Sequence, residues 1–164
     1  IGEIEEYFMN IWNEGFLYIT GRCKEVIVLS NGENIEPDVI EQECCLSDFV
    51  KQIVLVGQDQ NSVGALVVPS KEALEKCGIS NMKNIKSYED GNFTNDKLEA
   101  LIKNEINTKI MNKPNLRMFE KVKQFALLKE SFTVENGLLS MTQKIKRNKV
   151  FEKYKNLIGK MYKG

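Results

Sequence analysis

Val50-Lys-Gln-Ile-Val-Leu-Val-Gly57 and Val63-Gly-Ala-Leu-Val-Val68 are two runs dense in Val, Ile and Leu, separated only by Gln-Asp-Gln-Asn-Ser. Branched side chains suit a pleated, packed surface, and the five polar residues between the runs are turn chemistry. The pair therefore reads as an antiparallel hairpin. Toward the C-terminus, Lys71 to Lys76 reads as a short helix ended by Gly78. Residues 79–95 are rich in Asn, Lys and Ser and read as a flexible insertion with no nameable chemistry. Asn95 or Asp96 can cap a helix running to about Met111, with Leu98, Leu101, Ile102, Ile106 and Ile110 on one stripe. Val122 to Leu128 reads as a strand, and Phe132 to Thr142 as irregular chain around the Asn136-Gly137 turn. Lys146 to Tyr162 reads as one helix, with Val150, Tyr154, Leu157, Ile158 and Met161 at helical spacing.

Toward the N-terminus, Pro37 opens a helix through Cys45, with Ile40, Cys44 and Cys45 on its apolar face. Ser30 to Asn34 is a turn after a strand at Glu25–Leu29, and Gly15 to Gly21 is a short strand. Strands and helices joined mostly by hairpins argue for an α+β domain: a small mixed or antiparallel sheet, read as three strands plus a hairpin, flanked by helices. The chain shows no internal repeat.

At 164 residues the chain accommodates one domain, or one domain with a small appendage. Its ordinary composition excludes collagen-like, mucin-like and fully disordered classes. No apolar run approaches the ~20 residues of a membrane span. The start, Ile-Gly-Glu-Ile-Glu-Glu, is acidic and reads as a fragment or a processed start rather than a signal peptide. Net charge is zero but uneven. Residues 144–164 hold seven Lys and one Arg against Glu152 alone, a net of +7 that leaves the other 143 residues at −7. Such a tail suits an anionic partner such as a nucleotide, nucleic acid or lipid headgroup; the plainer reading is a solvated basic helix.

There is no histidine. That removes Ser–His and Cys–His nucleophile activation and most zinc sites. Cys23, Cys44, Cys45 and Cys77 form no C-x-x-C pair. Neither a disulfide framework nor a metal site is indicated, which fits a reducing compartment and cysteines used as small buried apolar residues.

Three segments stand apart: Gly21-Arg22-Cys23-Lys24-Glu25 between two strands; the turn Ser30-Asn31-Gly32-Glu33-Asn34, followed by Pro37 and Glu41; and Asn136-Gly137-Leu-Leu-Ser-Met-Thr-Gln-Lys144-Ile-Lys146-Arg147. Singly, each has an ordinary reading: strand-end charges, a connecting turn, one more solvated lysine. Together and in this order, they resemble the C-terminal domain of the adenylate-forming enzymes, the group of acyl-CoA synthetases, luciferases and peptide-synthetase adenylation domains. The stretch from Phe132 to Arg147 is most similar to the long-chain fatty acyl-CoA synthetase branch.

The resemblance implies a linker and hinge segment with a short hairpin over 1–24, and a mobile lid domain over 25–164 carrying the insertion at about 79–95. It implies that Lys144 is the catalytic lysine and, with Arg22, binds nucleotide; that Lys24 is the hinge; and that Ser30, Asn31, Gly32 and Glu33 form a loop that meets CoA. The implied reaction activates a fatty acid with ATP and Mg2+ to an acyl adenylate, then transfers the acyl group to CoA. The implied partners are the enzyme's own large N-terminal domain and these small molecules, with no nucleic acid. The implied location is intracellular, in the cytoplasm or at the cytoplasmic face of a membrane such as the ER, and a membrane-surface association of the full enzyme is compatible with it. The family's phosphate-binding loop and fatty-acid tunnel belong to the large domain, so the chain alone is expected to be inactive. Gln143 stands where most of the family has Gly. Other acyl- or aryl-CoA ligases and amino-acid adenylation enzymes share the pattern, and a non-enzymatic basic-helix module for nucleic acid or anionic membrane is the remaining alternative.

Overall fold

The computed structural model describes residues 9–13, 16–21, 25–79, 88, 90–111 and 113–163. Strands β1 (Met9–Asn13) and β2 (Phe16–Gly21) pair antiparallel. A second small antiparallel pair, β3 (Ile27–Val28) and β4 (Asn34–Ile35), encloses the 30–34 turn. Helix α1 (Pro37–Cys44) follows, started by the preset φ of Pro37. Strands β5 (Val50–Val56) and β6 (Val63–Pro69) form the expected antiparallel hairpin. Helix α2 (Lys71–Lys76) is capped by the Ser70 hydroxyl, which accepts from the Ala73 N–H. Strand β7 (Asn92–Phe93) precedes helix α3 (Asp96–Met111), where Asn95 supplies the cap by accepting from the Leu98 N–H at 3.1 Å. A turn of 3-10 helix at Met118–Glu120 leads into β8 (Val122–Leu128), and helices α4 (Arg147–Lys153) and α5 (Lys155–Lys163) end the described chain.

The main sheet runs β5-β6-β8-β7, with β8 parallel to β6 and antiparallel to both its own neighbour β7 and the direction of β5. Its two faces are both covered. Ile53, Leu55, Ala65, Val67 and Leu127 face a core built with Ile35, Ile40 and the α3 stripe Leu98, Ile102, Ile106 and Ile110. Val54, Val56, Leu66, Val68, Ala126 and Leu128 face a second core built with Phe132, Leu138, Val150, Tyr154 and Leu157. A sheet buried on both sides has no polar face, which is why β5 and β6 read as unbroken apolar runs rather than alternating ones.

The structure departs from the sequence reading in five places. The β5–β6 hairpin does not stand beside a three-stranded sheet but joins β8 and the edge Asn92–Phe93 in one four-stranded sheet. The stretch 79–95, expected as a flexible insertion, therefore ends inside the fold: Phe93 is buried in the first core. The strand expected at Glu25–Leu29 shrinks to Ile27–Val28, since Leu29 already turns to donate to Glu33 O. Cys45, expected on the apolar face of α1, is exposed at its C-cap; Cys44 is buried, and burial pushes its thiol up to about 12. The expected single terminal helix breaks at Tyr154, whose φ of −103° and ψ of 19° leave the helical region.

Candidate functional site

Lys144 sits on a tight loop closed by a bridge between Leu139 and Ile145. Within it the Ser140 N–H donates to Lys144 O at 2.7 Å and the Gln143 N–H to Ser140 O at 2.9 Å. The Ser140 hydroxyl accepts from the Lys144 N–H at 3.2 Å and lies 3.0 Å from the Thr142 hydroxyl. The turn requires a left-handed residue, and Gln143 supplies it at φ +64°. This is the position at which the resembling family mostly carries Gly, and the left-handed conformation gives the physical reason. Met141 through Lys144 are exposed, so the ammonium of Lys144 projects from a loop fixed by its own backbone.

The Ser30–Asn34 turn is fixed from outside as well as within. Leu29 N–H donates to Glu33 O, Gly32 N–H to Leu29 O, and Glu33 N–H to the Asn31 side-chain oxygen at 3.1 Å. The β5–β6 turn lies alongside: Ser30 N–H donates to Gln60 O and Asp59 N–H to Val28 O, both at 2.9 Å. Arg117 donates to Asn34 O at 3.2 Å. Gly32 has φ +86°, and the direction its missing Cβ would take is open, with nothing within 4 Å. Arg117 is itself held by Glu120, which is buried and also takes Lys113 at 3.0 Å. Burial pushes the Glu120 carboxyl up, but the Arg117 N–H, Lys113 and the Arg117 guanidinium together pull it below its ordinary value.

Arg147 links the segments that flank the two loops. Its side chain is 9% exposed. It forks onto Glu41 with two bonds of 2.6 Å, donates to Asp38 at 2.8 Å, and pairs through Nε with Glu25. Glu41 also accepts the Leu55 N–H at 2.7 Å, so the cluster is tied to the outer edge of β5. Burial opposes the Arg147 charge, but the three carboxylates outweigh it and hold its pKa above the ordinary value. Burial raises the Glu41 carboxyl, against the pull of Arg147 and of the Leu55 N–H. An arginine suits this place because its planar fork satisfies several carboxylates at once.

Of the residues singled out in the sequence, the structure describes Lys144 and the turn Ser30, Asn31, Gly32 and Glu33; Arg22, Cys23 and Lys24 lie outside the described residues. Sequence reasoning gave Arg147 no task beyond ending a motif. The available signal was composition: the chain holds only three arginines, at 22, 117 and 147, among its 23 basic residues. The seven lysines of the basic tail are all exposed, while its one arginine is not. Arg147 is buried, Lys153 pairs with Glu130 at 2.7 Å and Lys160 with Asp90 at 2.8 Å. Among the described residues no group of three His, Cys, Asp or Glu could hold a metal ion, and no helix is long and apolar enough to cross a membrane.

A four-stranded mixed sheet covered on both faces, presenting a lysine loop and a glycine turn whose flanking segments meet at Arg147, defines a small α+β domain whose exposed chemistry is carried by loops. The chain belongs to the AMP-binding enzyme C-terminal domain family, whose model matches residues 24–164. It is 36% identical over 149 residues to the probable acyl-activating enzyme 16, chloroplastic, of Arabidopsis thaliana, covering 91% of this chain and 20% of that protein. It is 32% identical to the long-chain-fatty-acid–[acyl-carrier-protein] ligase AEE15, chloroplastic, of the same plant, covering 90% of this chain and 18% of that protein. It is 34% identical to the long-chain-fatty-acid–CoA ligase FadD15 of Mycobacterium tuberculosis, covering 91% and 24%. Among solved structures, the adenylation domain of a carboxylate reductase from Mycobacterium chelonae superposes with a TM-score of 0.74 at 25% identity, covering 94% of this chain and 24% of that one. The chain thus spans about a fifth to a quarter of the length of these relatives.

Proposed function

We propose that the chain is the mobile lid of an ATP-dependent long-chain fatty acid–CoA ligase, working on a cleft supplied by a large N-terminal domain. The observation that carries this reading is the exposed Lys144 on a loop whose backbone is closed on itself. In the first half-reaction a fatty acid carboxylate attacks the α-phosphorus of ATP and pyrophosphate leaves. Both reactants are anionic, and an ammonium brought between them offsets their repulsion and the charge developing on the phosphoryl oxygens. Lysine suits this because its charge is compact and its stem is long. Arg22 would approach the ribose and phosphates, and Lys24 would act as the hinge.

In the second half-reaction the lid turns, and the Ser30–Glu33 loop meets the pantetheine arm while the CoA thiol attacks the acyl carbonyl and AMP leaves. The open side of Gly32 supports this role, since a chain can pass close to a backbone that has no Cβ. Mg2+ would be held by the ATP phosphates and the large domain. Against a basic-helix binding module stands Arg147, whose charge is buried and taken up by carboxylates of this chain. The cytoplasm or a cytoplasmic membrane face is the location that goes with this reading.

The relatives support a second reading of the acceptor: one is an acyl-carrier-protein ligase, so the thiol could reside on a carrier protein. The two are separated by offering the full-length enzyme a pre-formed acyl adenylate with either CoA or phosphopantetheinylated carrier. The central test is Lys144→Ala in that enzyme. Acyl-adenylate formation, followed by pyrophosphate exchange, should fall about 10²–10³-fold, or ~3–4 kcal/mol, while thioester formation from supplied acyl adenylate is retained. Equal loss of both halves overturns the role of Lys144.

A further inference from the structure

The Arg147 guanidinium ties together the two segments that carry the loops assigned to alternate half-reactions, through Glu25, Asp38 and Glu41 rather than through either loop itself. Arg147 follows the Lys144 loop by three residues and is the first residue of α4. The loop is seated on it by backbone bonds: Lys146 N–H donates to Leu138 O at 2.9 Å, and Val150 N–H to Lys146 O at 3.1 Å. From that position Arg147 reaches Asp38 and Glu41, both on α1, which starts three residues after the Ser30–Asn34 turn. It also reaches Glu25, at the other end of β3. One partner is permanent in character: Glu41 is buried and bonded to β5. The other two are peripheral, with Glu25 57% and Asp38 56% exposed.

We propose that Arg147 is a positioning residue that holds the Lys144 loop and the glycine turn in one fixed mutual geometry, with Glu25 and Asp38 as the outer arms of the clamp. The proposal rests on the ligase reading above. A swing of the domain can exchange one loop for the other only if both travel together, and misplacement of a reacting group by about 1 Å is worth on the order of 10²-fold in rate. The Glu41 fork attaches Arg147 to the sheet through Nη1 and Nη2; Glu25 takes the remaining nitrogen, Nε, and Asp38 shares Nη2 with Glu41, so the two outer carboxylates hold the guanidinium plane from its other edges.

The test uses the full-length enzyme carrying Glu25→Gln together with Asp38→Asn. Both side chains are mostly exposed, so the fold, checked by melting temperature, is retained. Adenylation kcat should fall roughly tenfold with the KM for ATP and fatty acid unchanged, a fraction of the full penalty for misplacement. Arg147→Lys, which keeps one charge against Glu41 and loses the fork, should show the same split. The decisive comparison repeats the double substitution in Lys144→Ala. With the lysine gone, adenylation should fall no further, whereas CoA attack on supplied acyl adenylate should still decline, because the glycine turn has lost the same support. Losses that multiply on the Lys144→Ala background, or no loss at all, overturn the clamp while leaving the ligase reading intact. A wild-type enzyme that forms no acyl adenylate overturns the ligase reading and the clamp with it.

Discussion

The Ser30–Asn34 and Ser140–Lys144 turns solve the same backbone problem with different residues. Each reverses the chain through one left-handed position, at φ +86° in the first and +64° in the second. The first fills that position with glycine and leaves its open side bare. The second fills it with glutamine and relies on the Ser140 side chain and backbone to hold the shape. The first turn is braced by the β5–β6 turn and by Arg117, whereas the internal bonds of the second lie within residues 140–144. Under the proposed ligase function the difference separates two uses of a loop: one would offer its backbone to an approaching molecule, the other a side chain at its tip.

That contrast can be broken at four points. Removing the shared support has the largest effect: Arg147→Met strands the buried Glu41 carboxylate and should lower stability by about 3–5 kcal/mol in chemical unfolding. Removing the brace of the glycine turn comes next. Glu120→Gln should cost about 1.5–3 kcal/mol near neutral pH, since the buried carboxylate bonds Lys113 and Arg117. Because its folded pKa lies below the ordinary 4.5, Glu120 contributes stability above that value and loses it as the pH falls through the lower folded one. The wild-type protein should therefore lose stability on acidification over that window, and Glu120→Gln should lose less, as read from melting temperature against pH.

Gly32→Ala should cost about 1–2 kcal/mol through backbone strain alone, as no atom stands where the new methyl group goes. In the full-length enzyme it should slow thioester formation and spare adenylation. Gln143→Gly should change stability least, within about 1 kcal/mol, because relief of left-handed strain is offset by the added freedom of the unfolded chain. A large loss there would mean that the glutamine side chain, not the loop backbone, holds Lys144 in place.

The strongest sequence patterns became the strongest structural elements. Val50–Val56, Val63–Pro69 and Val122–Leu128 are strands, and the stripe Leu98, Ile102, Ile106, Ile110 is a buried helix face. Their legibility is physical: many side chains repeat one instruction. Asn92–Phe93 escaped notice because two residues carry no period, and Phe93 is buried by what surrounds it rather than by its neighbours in sequence. The parallel pairing of β8 with β6 is likewise a long-range outcome. The same holds for the site. The Lys144 loop and the Gly32 turn are local and could be picked out from short motifs. The carboxylates around Arg147 stand 106 to 122 residues away from it in the chain, and no local pattern announces them.

The carboxyl-terminal helix carries one further consequence. Tyr162 donates its hydroxyl to Ser62 O at 2.9 Å and reaches Val56 O at 3.2 Å, passing over Gly64, where a Cβ would lie 2.8 Å from the phenol oxygen. Burial raises that phenol to about 12. In an ultraviolet titration this ring, like the buried Tyr154, would ionise after solvent-exposed tyrosines have done so, and the part of that late signal lost in Tyr162→Phe gives an intrinsic optical gauge of whether α5 is seated on the β5–β6 hairpin.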